Sequence, residues 1–92
     1  MTKDQFKESI GGIGGEFNFY TADYEGLIFA TPTRAFIWVD FNGYRTADVV
    51  DEPKNIGDYN SVDELLDAFE VDGVLFSESV LPKITTLSQV YT

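Results

Sequence analysis

The chain has no cysteine and no histidine. Without cysteine there is no disulfide framework, no zinc knuckle and no thiol nucleophile. Without histidine the usual general base, the Ser-His-Asp arrangement and the commonest metal ligand are missing too. Positive charge is scarce: six Lys and Arg stand against 16 Asp and Glu, a formal net charge of −10. No stretch approaches the roughly 20 apolar residues that cross a bilayer. The N-terminal MTKDQFKESI lacks the apolar h-region of a secretory signal. These absences predict a cytoplasmic protein that does not engage membranes.

What is present fits one small domain over residues 1–92. Eight Phe, five Tyr and one Trp supply the large side chains of a single core. The clearest local pattern is AFIWVDFNGYRTADVV, residues 35–50. Asn42-Gly43 between β-branched and aromatic runs predicts a two-residue type I′ hairpin, whose central residues both need φ > 0. That register sets Asp40 against Arg45, Trp38 against Ala47 and Ile37 against Asp48. The run 35–41 is apolar on both faces, Ile37, Val39 and Phe41 on one and Phe36 and Trp38 on the other. It therefore reads as a central strand. Phe36 and Trp38 are expected in the core, with an exposed aromatic patch as the other reading.

Upstream, residues 2–10 read as a short helix. Thr2 and Gln5 form a capping box, Phe6, Ile10 and Ile13 share a face, and Gly11-Gly12 stops it. The GGIGG run at 11–15 lacks the strand before it and the Gly or Gly-Lys pattern after it that a phosphate cradle needs, so it reads as a connector. Residues 16–22 and 27–31 read as strands separated by turns at 23–26 and 31–34. With 35–41 and 44–50 they complete a four-stranded antiparallel meander.

Past Val50 the segment DEPKNIGDYN reads as a loop. Neither Asp51 nor Asp58 opens a calcium loop, because the sixth-position Gly and the spacing are absent, so no metal is expected. Residues 61–70, SVDELLDAFE, read as an amphipathic helix. Ser61 and Glu64 form its capping box, Val62, Leu65, Leu66 and Phe69 its apolar stripe, and Asp72-Gly73 its end. Residues 74–92 read as a short helix ending at Pro82 or as an extended tail. The predicted fold class is α+β: a short N-terminal helix, a four-stranded antiparallel β-meander, and a C-terminal acidic amphipathic helix plus a short helix or extended tail. The helices are expected on one sheet face.

The string YNSVDELLDAFEVDG, residues 59–73, resembles the ending of small, mostly uncharacterised acidic α+β proteins of Gram-positive bacteria and their prophages. In those, an antiparallel sheet precedes a DELLD-type helix and a further short helix. Pro82 departs from the resemblance, where the last helix would continue. The resemblance implies a fold and an origin, and brings no catalytic residues.

The charge is unevenly spread. Residues 48–72 hold nine acids and only Lys54, while residues 73–92 are neutral. An acidic surface repels phosphates and favours basic protein partners. Carboxylates alone can make a glycosidase pair, for which Asp40, Asp48 and Glu25 are the candidates, but so small a domain has little room for a cleft. The functional expectation is a non-catalytic protein-binding module without cofactor, such as a prophage- or immunity-type inhibitor. Its acidic face would comprise Asp51, Glu52, Asp58, Asp63, Glu64, Asp67 and Glu70, facing a protein with a basic surface, with no direct nucleic-acid binding. One alternative is a nucleic-acid mimic occupying a basic groove. Another is a structural domain that forms a homodimer through the aromatic sheet face of Tyr20, Phe36 and Trp38.

Overall fold

The computed structural model describes residues 1–11, 14–48 and 51–90. Helix α1 (Lys3–Ile10) begins as its capping box predicts. The Thr2 hydroxyl accepts the Gln5 N–H at 3.1 Å, and the Thr2 N–H donates back to Gln5 Oε1 at 2.9 Å. Gly11 closes the helix at φ 74°. Gly12 and Ile13, the rest of the predicted stop and stripe, lie outside the described residues.

Strands β1 (Gly15–Tyr20), β2 (Tyr24–Thr31) and β3 (Arg34–Phe41) follow as an antiparallel meander. Their alternation divides the sheet into two faces. Phe17, Phe19, Ile28, Ala30, Ala35, Ile37 and Val39 point into the core. Leu27, Phe29, Phe36 and Trp38 point away from it and are half-buried.

The fourth strand is not where the sequence predicts it. Among the described residues only Asp72 combines a side chain with positive φ, so Asn42 does not take the type I′ conformation, although Gly43 does turn at φ 96°. Tyr44–Thr46 forms a 3-10 turn instead. The Tyr44 ring settles 5.6 Å from the rings of both Trp38 and Phe41. The chain then loops round, and β3 pairs with β4 (Asn55–Tyr59), inside the stretch expected to be a loop. Two features favour this pairing. Asp40 accepts the Lys54 N–H at 2.7 Å, which pins the returning chain. Gly57, opposite Ile37, lets the Phe69 ring approach the strand closely, since a Cβ there would stand 2.7 Å from Phe69 Cδ1. Asp48 is consequently exposed on a loop, not set against Ile37, and the Asp40–Arg45 cross-strand pair is not made. Val49 and Val50, the end of the predicted strand, lie outside the described residues.

Helix α2 (Val62–Ala68) carries the expected stripe inward, with Leu65, Leu66 and Phe69 buried. Ser61 Oγ accepts the Glu64 N–H at 3.1 Å. The Glu64 carboxylate accepts from the Asn60 N–H at 3.2 Å, one residue upstream of the predicted box. The helix ends at Ala68, before Asp72-Gly73. That dipeptide makes the only two-residue turn with both φ values positive among the described residues, 52° and 86°. It joins the short strands β5 (Glu70–Val71) and β6 (Val74–Leu75). In the tail both predicted forms occur in succession. Helix α3 (Phe76–Ser79) and a 3-10 turn holding Pro82 lead to β7 (Leu87–Val90).

Strand β7 pairs with β1, so the sheet has five strands in the order β4-β3-β2-β1-β7, not four. All three helices contribute to one core against the inner sheet face. Its centre is Phe76, fully buried, with the rings of Phe6, Phe19 and Phe69 at 5.7, 5.8 and 5.9 Å. No helix covers the outer face among the described residues. Among the described residues it is the 44–47 turn that reaches onto it, with Tyr44 and Arg45 against Trp38.

Candidate functional site

The outer face is built from two cross-strand rows. One runs Asn18, Leu27, Trp38, Ile56 and the other Glu16, Phe29, Phe36, Asp58. Five large apolar side chains therefore lie together on the side away from the core, and Ile56 is 42% exposed. A solvated face of an antiparallel sheet ordinarily alternates to polar residues. Here the β-branched and aromatic content that makes β2 and β3 good strands also leaves their second face apolar. Phe36 and Trp38 are thus correctly placed as aromatic sheet residues, but they are not core.

Glu16, Leu27, Phe29, Arg34 and Phe36 line a groove of about 300 Å³ on this face. The Arg34 guanidinium stands 5.7 Å from the centre of the Phe36 ring and donates twice to Asp58, at 3.0 and 2.9 Å. Those hydrogen bonds from Arg34 and its charge hold the Asp58 carboxyl below the usual carboxylate range. The chain's other arginine is on the same face. Arg45 lies 4.9 Å above Trp38 and 5.8 Å from Tyr20, and donates to the Gly26 carbonyl at 2.7 Å. Its backbone N–H donates to the buried Glu25 carboxylate at 2.7 Å. This bond gives Glu25 a partner and fixes the 44–47 turn to the sheet. Among the described residues Arg45 makes no ion pair.

The sequence-predicted aromatic set converges here. Tyr20, 52% exposed, and Trp38 share the Arg45 guanidinium, and Phe36 walls the groove. Leu27, Phe29 and Ile56 belong to the same surface and were not singled out by the sequence. For Leu27 and Phe29 the signal was available, because LIFAT is apolar in both registers. Ile56 offered none, since its strand reads as a polar loop.

The seven predicted acids do not share one face. Asp58 is on the outer sheet face, committed to Arg34. Asp51 and Glu52 are exposed on the loop before β4, beside Tyr44, whose hydroxyl donates to the Asp51 carbonyl. Desolvation first, then the charges of Asp40, Asp51 and Glu52, push the Tyr44 phenol up. Asp63, Glu64 and Asp67 are exposed on α2, across the sheet, and Glu70 is exposed at the start of β5. Asp63 is paired with Lys7 at 3.0 Å.

One further cluster is polar. Asp72 accepts from the Tyr24 hydroxyl at 2.7 Å and from Lys54 Nζ at 2.9 Å, and its N–H donates to Asn55 Oδ1 at 3.1 Å. Lys54 and Tyr24 hold the Asp72 carboxyl low, and the hydrogen bond to Asp72 raises the Tyr24 phenol. The cluster ties the β5–β6 turn to the starts of β2 and β4. A wider cleft of about 520 Å³ opens between α1 and residues 82–85, with Glu8 as its one carboxylate. Among the described residues no three His, Cys, Asp or Glu side chains are grouped to hold a metal ion, and no helix is long and apolar enough to cross a membrane.

No protein-family model, curated protein or solved structure matches the chain.

Proposed function

We propose that the chain is a non-catalytic protein-binding module whose contact surface is the outer sheet face. The observation that carries this reading is the apolar outer row of half-buried Leu27, Phe29, Phe36 and Trp38 and exposed Ile56, over which no helix lies among the described residues and where only Trp38 is capped, by Tyr44 and Arg45. Aromatic residues and arginine are the side chains that dominate protein interfaces, and here Trp38, Phe36, Arg34 and Arg45 meet on one surface. Exposed patches of this kind mark interaction sites. The expectation of a cytoplasmic protein of bacterial or prophage origin accompanies the reading.

A second reading keeps the acidic helix as the contact surface, because Asp67 on α2 is exposed and makes no ion pair among the described residues. Against it, Asp58 and Asp63 are already engaged within the chain. The two readings separate by photo-cross-linking in cells of the source organism. A benzophenone side chain at position 56 should capture a partner, and one at position 67 should not. Capture from position 67 alone would transfer the role to α2.

A further inference from the structure

Among the described residues no second layer lies on the outer face. A sheet that is apolar on both faces is ordinarily covered by helices on both. The two apolar rows extend across β2, β3 and β4, a width of roughly 10–14 Å at strand spacing. One α-helix with its side chains is about 10–12 Å across. The groove between Leu27, Phe29 and Phe36 takes an aliphatic side chain from such a helix.

Charge decides the character of that helix. The surroundings of the patch include Glu16, Asp51 and Glu52, while Asp58 and Arg34 neutralise each other and Arg45 is held over Trp38 and against the Gly26 carbonyl. The chain as a whole, these acids included, carries a formal −10. Two copies brought face to face would each bring that charge, which repels. A partner with basic residues flanking an apolar stripe gains the attraction instead. Resting on the reading of this face as a docking surface, we infer that its occupant is a basic amphipathic helix of another protein, laid across β2–β4 with its apolar stripe on Phe29, Phe36, Trp38 and Ile56.

Trp38, the chain's only tryptophan, is an internal reporter for the test. Its fluorescence is followed while an amphipathic Lys/Leu peptide of roughly 18 residues, long enough to cross the sheet as a helix, is titrated in. Controls are a scrambled peptide of the same composition and a Glu/Leu counterpart. The Lys/Leu peptide should saturate the signal. Ile56→Lys together with Glu16→Lys should weaken it by about tenfold or more, and Asp67→Lys on α2 should leave it within about twofold. Circular dichroism confirms that each variant is folded. Equal binding of the scrambled or acidic peptide overturns the proposal, as does loss of binding through Asp67→Lys alone. Sedimentation as a dimer that Ile56→Lys dissociates also overturns it, and assigns the face to a second copy. Cross-linking from position 56 in the absence of any peptide binding would refute the helix while leaving the docking face standing. Cross-linking from position 67 alone would remove both.

Discussion

The Arg45 guanidinium lies 4.9 Å above the ring of Trp38 and not against the carboxylate of Asp40. Asp40 instead accepts the N–H groups of Phe41 and Lys54, both at 2.7 Å. A cation over an exposed aromatic ring contributes about 0.5–1 kcal/mol. A double-mutant cycle in urea should therefore find coupling of about that size between Arg45→Ala and Trp38→Leu, and little between Arg45→Ala and Asp40→Asn. Coupling with Asp40 in place of Trp38 would restore the hairpin that the sequence suggests.

Gly57 tests the strand that replaces that hairpin. A Cβ at this position would meet Tyr59 Cε2 at 2.6 Å and Phe69 Cδ1 at 2.7 Å. Gly57→Ala should cost about 1–3 kcal/mol, the usual range for overpacking a filled site. In a solvated loop the same change would be near neutral or stabilising, so the denaturation midpoint distinguishes the two placements.

Much of this was legible in the chain and some was not. Both capping signals and the apolar stripes of α1 and α2 could be read, because a helix is specified by neighbours within one turn. The first three strands could be read from alternation, although β2 begins at Tyr24, within the stretch 23–26 expected to be a turn, and the chain reverses at residues 21–23 instead. The edge strands could not. Strand β4 pairs through Gly57 and Asp58 in a polar segment, and β7 through residues 68 to 74 positions from their partners in β1. Their places depend on tertiary contacts that no local window contains. The two dipeptides with hairpin potential exchanged roles. Asn42-Gly43 yields to the packing of Tyr44 on Trp38 and Phe41, and Asp72-Gly73 makes the tight hairpin. The outer aromatic face was visible in the composition of residues 35–41. Whether it was core or surface depended on where the helices docked.

Phe76 is the single most exacting core position. It is fully buried and touches rings from α1, β1 and the end of α2. Phe76→Ala should lose about 3–5 kcal/mol, a large share of the roughly 5–15 kcal/mol that holds a small domain together. Thermal unfolding by circular dichroism should show a broad, low transition or none. Phe76→Leu, which keeps most of the volume, should remain folded.

Acid should weaken the fold through Asp72 and Asp58. Asp72 is held low by Lys54 and Tyr24, and Asp58 by Arg34. A carboxyl whose folded pKa lies below its unfolded value of about 3.9 stabilises the fold above that pH. The contribution disappears as pH falls through the folded pKa. Both groups are on the surface, so the effect is modest. The urea midpoint should fall below about pH 4, and Asp72→Asn should lower it at neutral pH and flatten the fall. A variant profile superimposable on the parent would show that the Asp72 network adds no stability.

The proposed docking role of the outer sheet face is read most directly by nuclear magnetic resonance. The ¹⁵N-labelled protein is recorded in buffer and then in clarified lysate of its source cells, at low and at high salt. Amide signals of Leu27, Phe29, Phe36, Trp38 and Ile56 should shift or broaden first, while those of residues 62–68 on α2 stay in place. Changes confined to 62–68, with the outer sheet face undisturbed, would contradict the docking role.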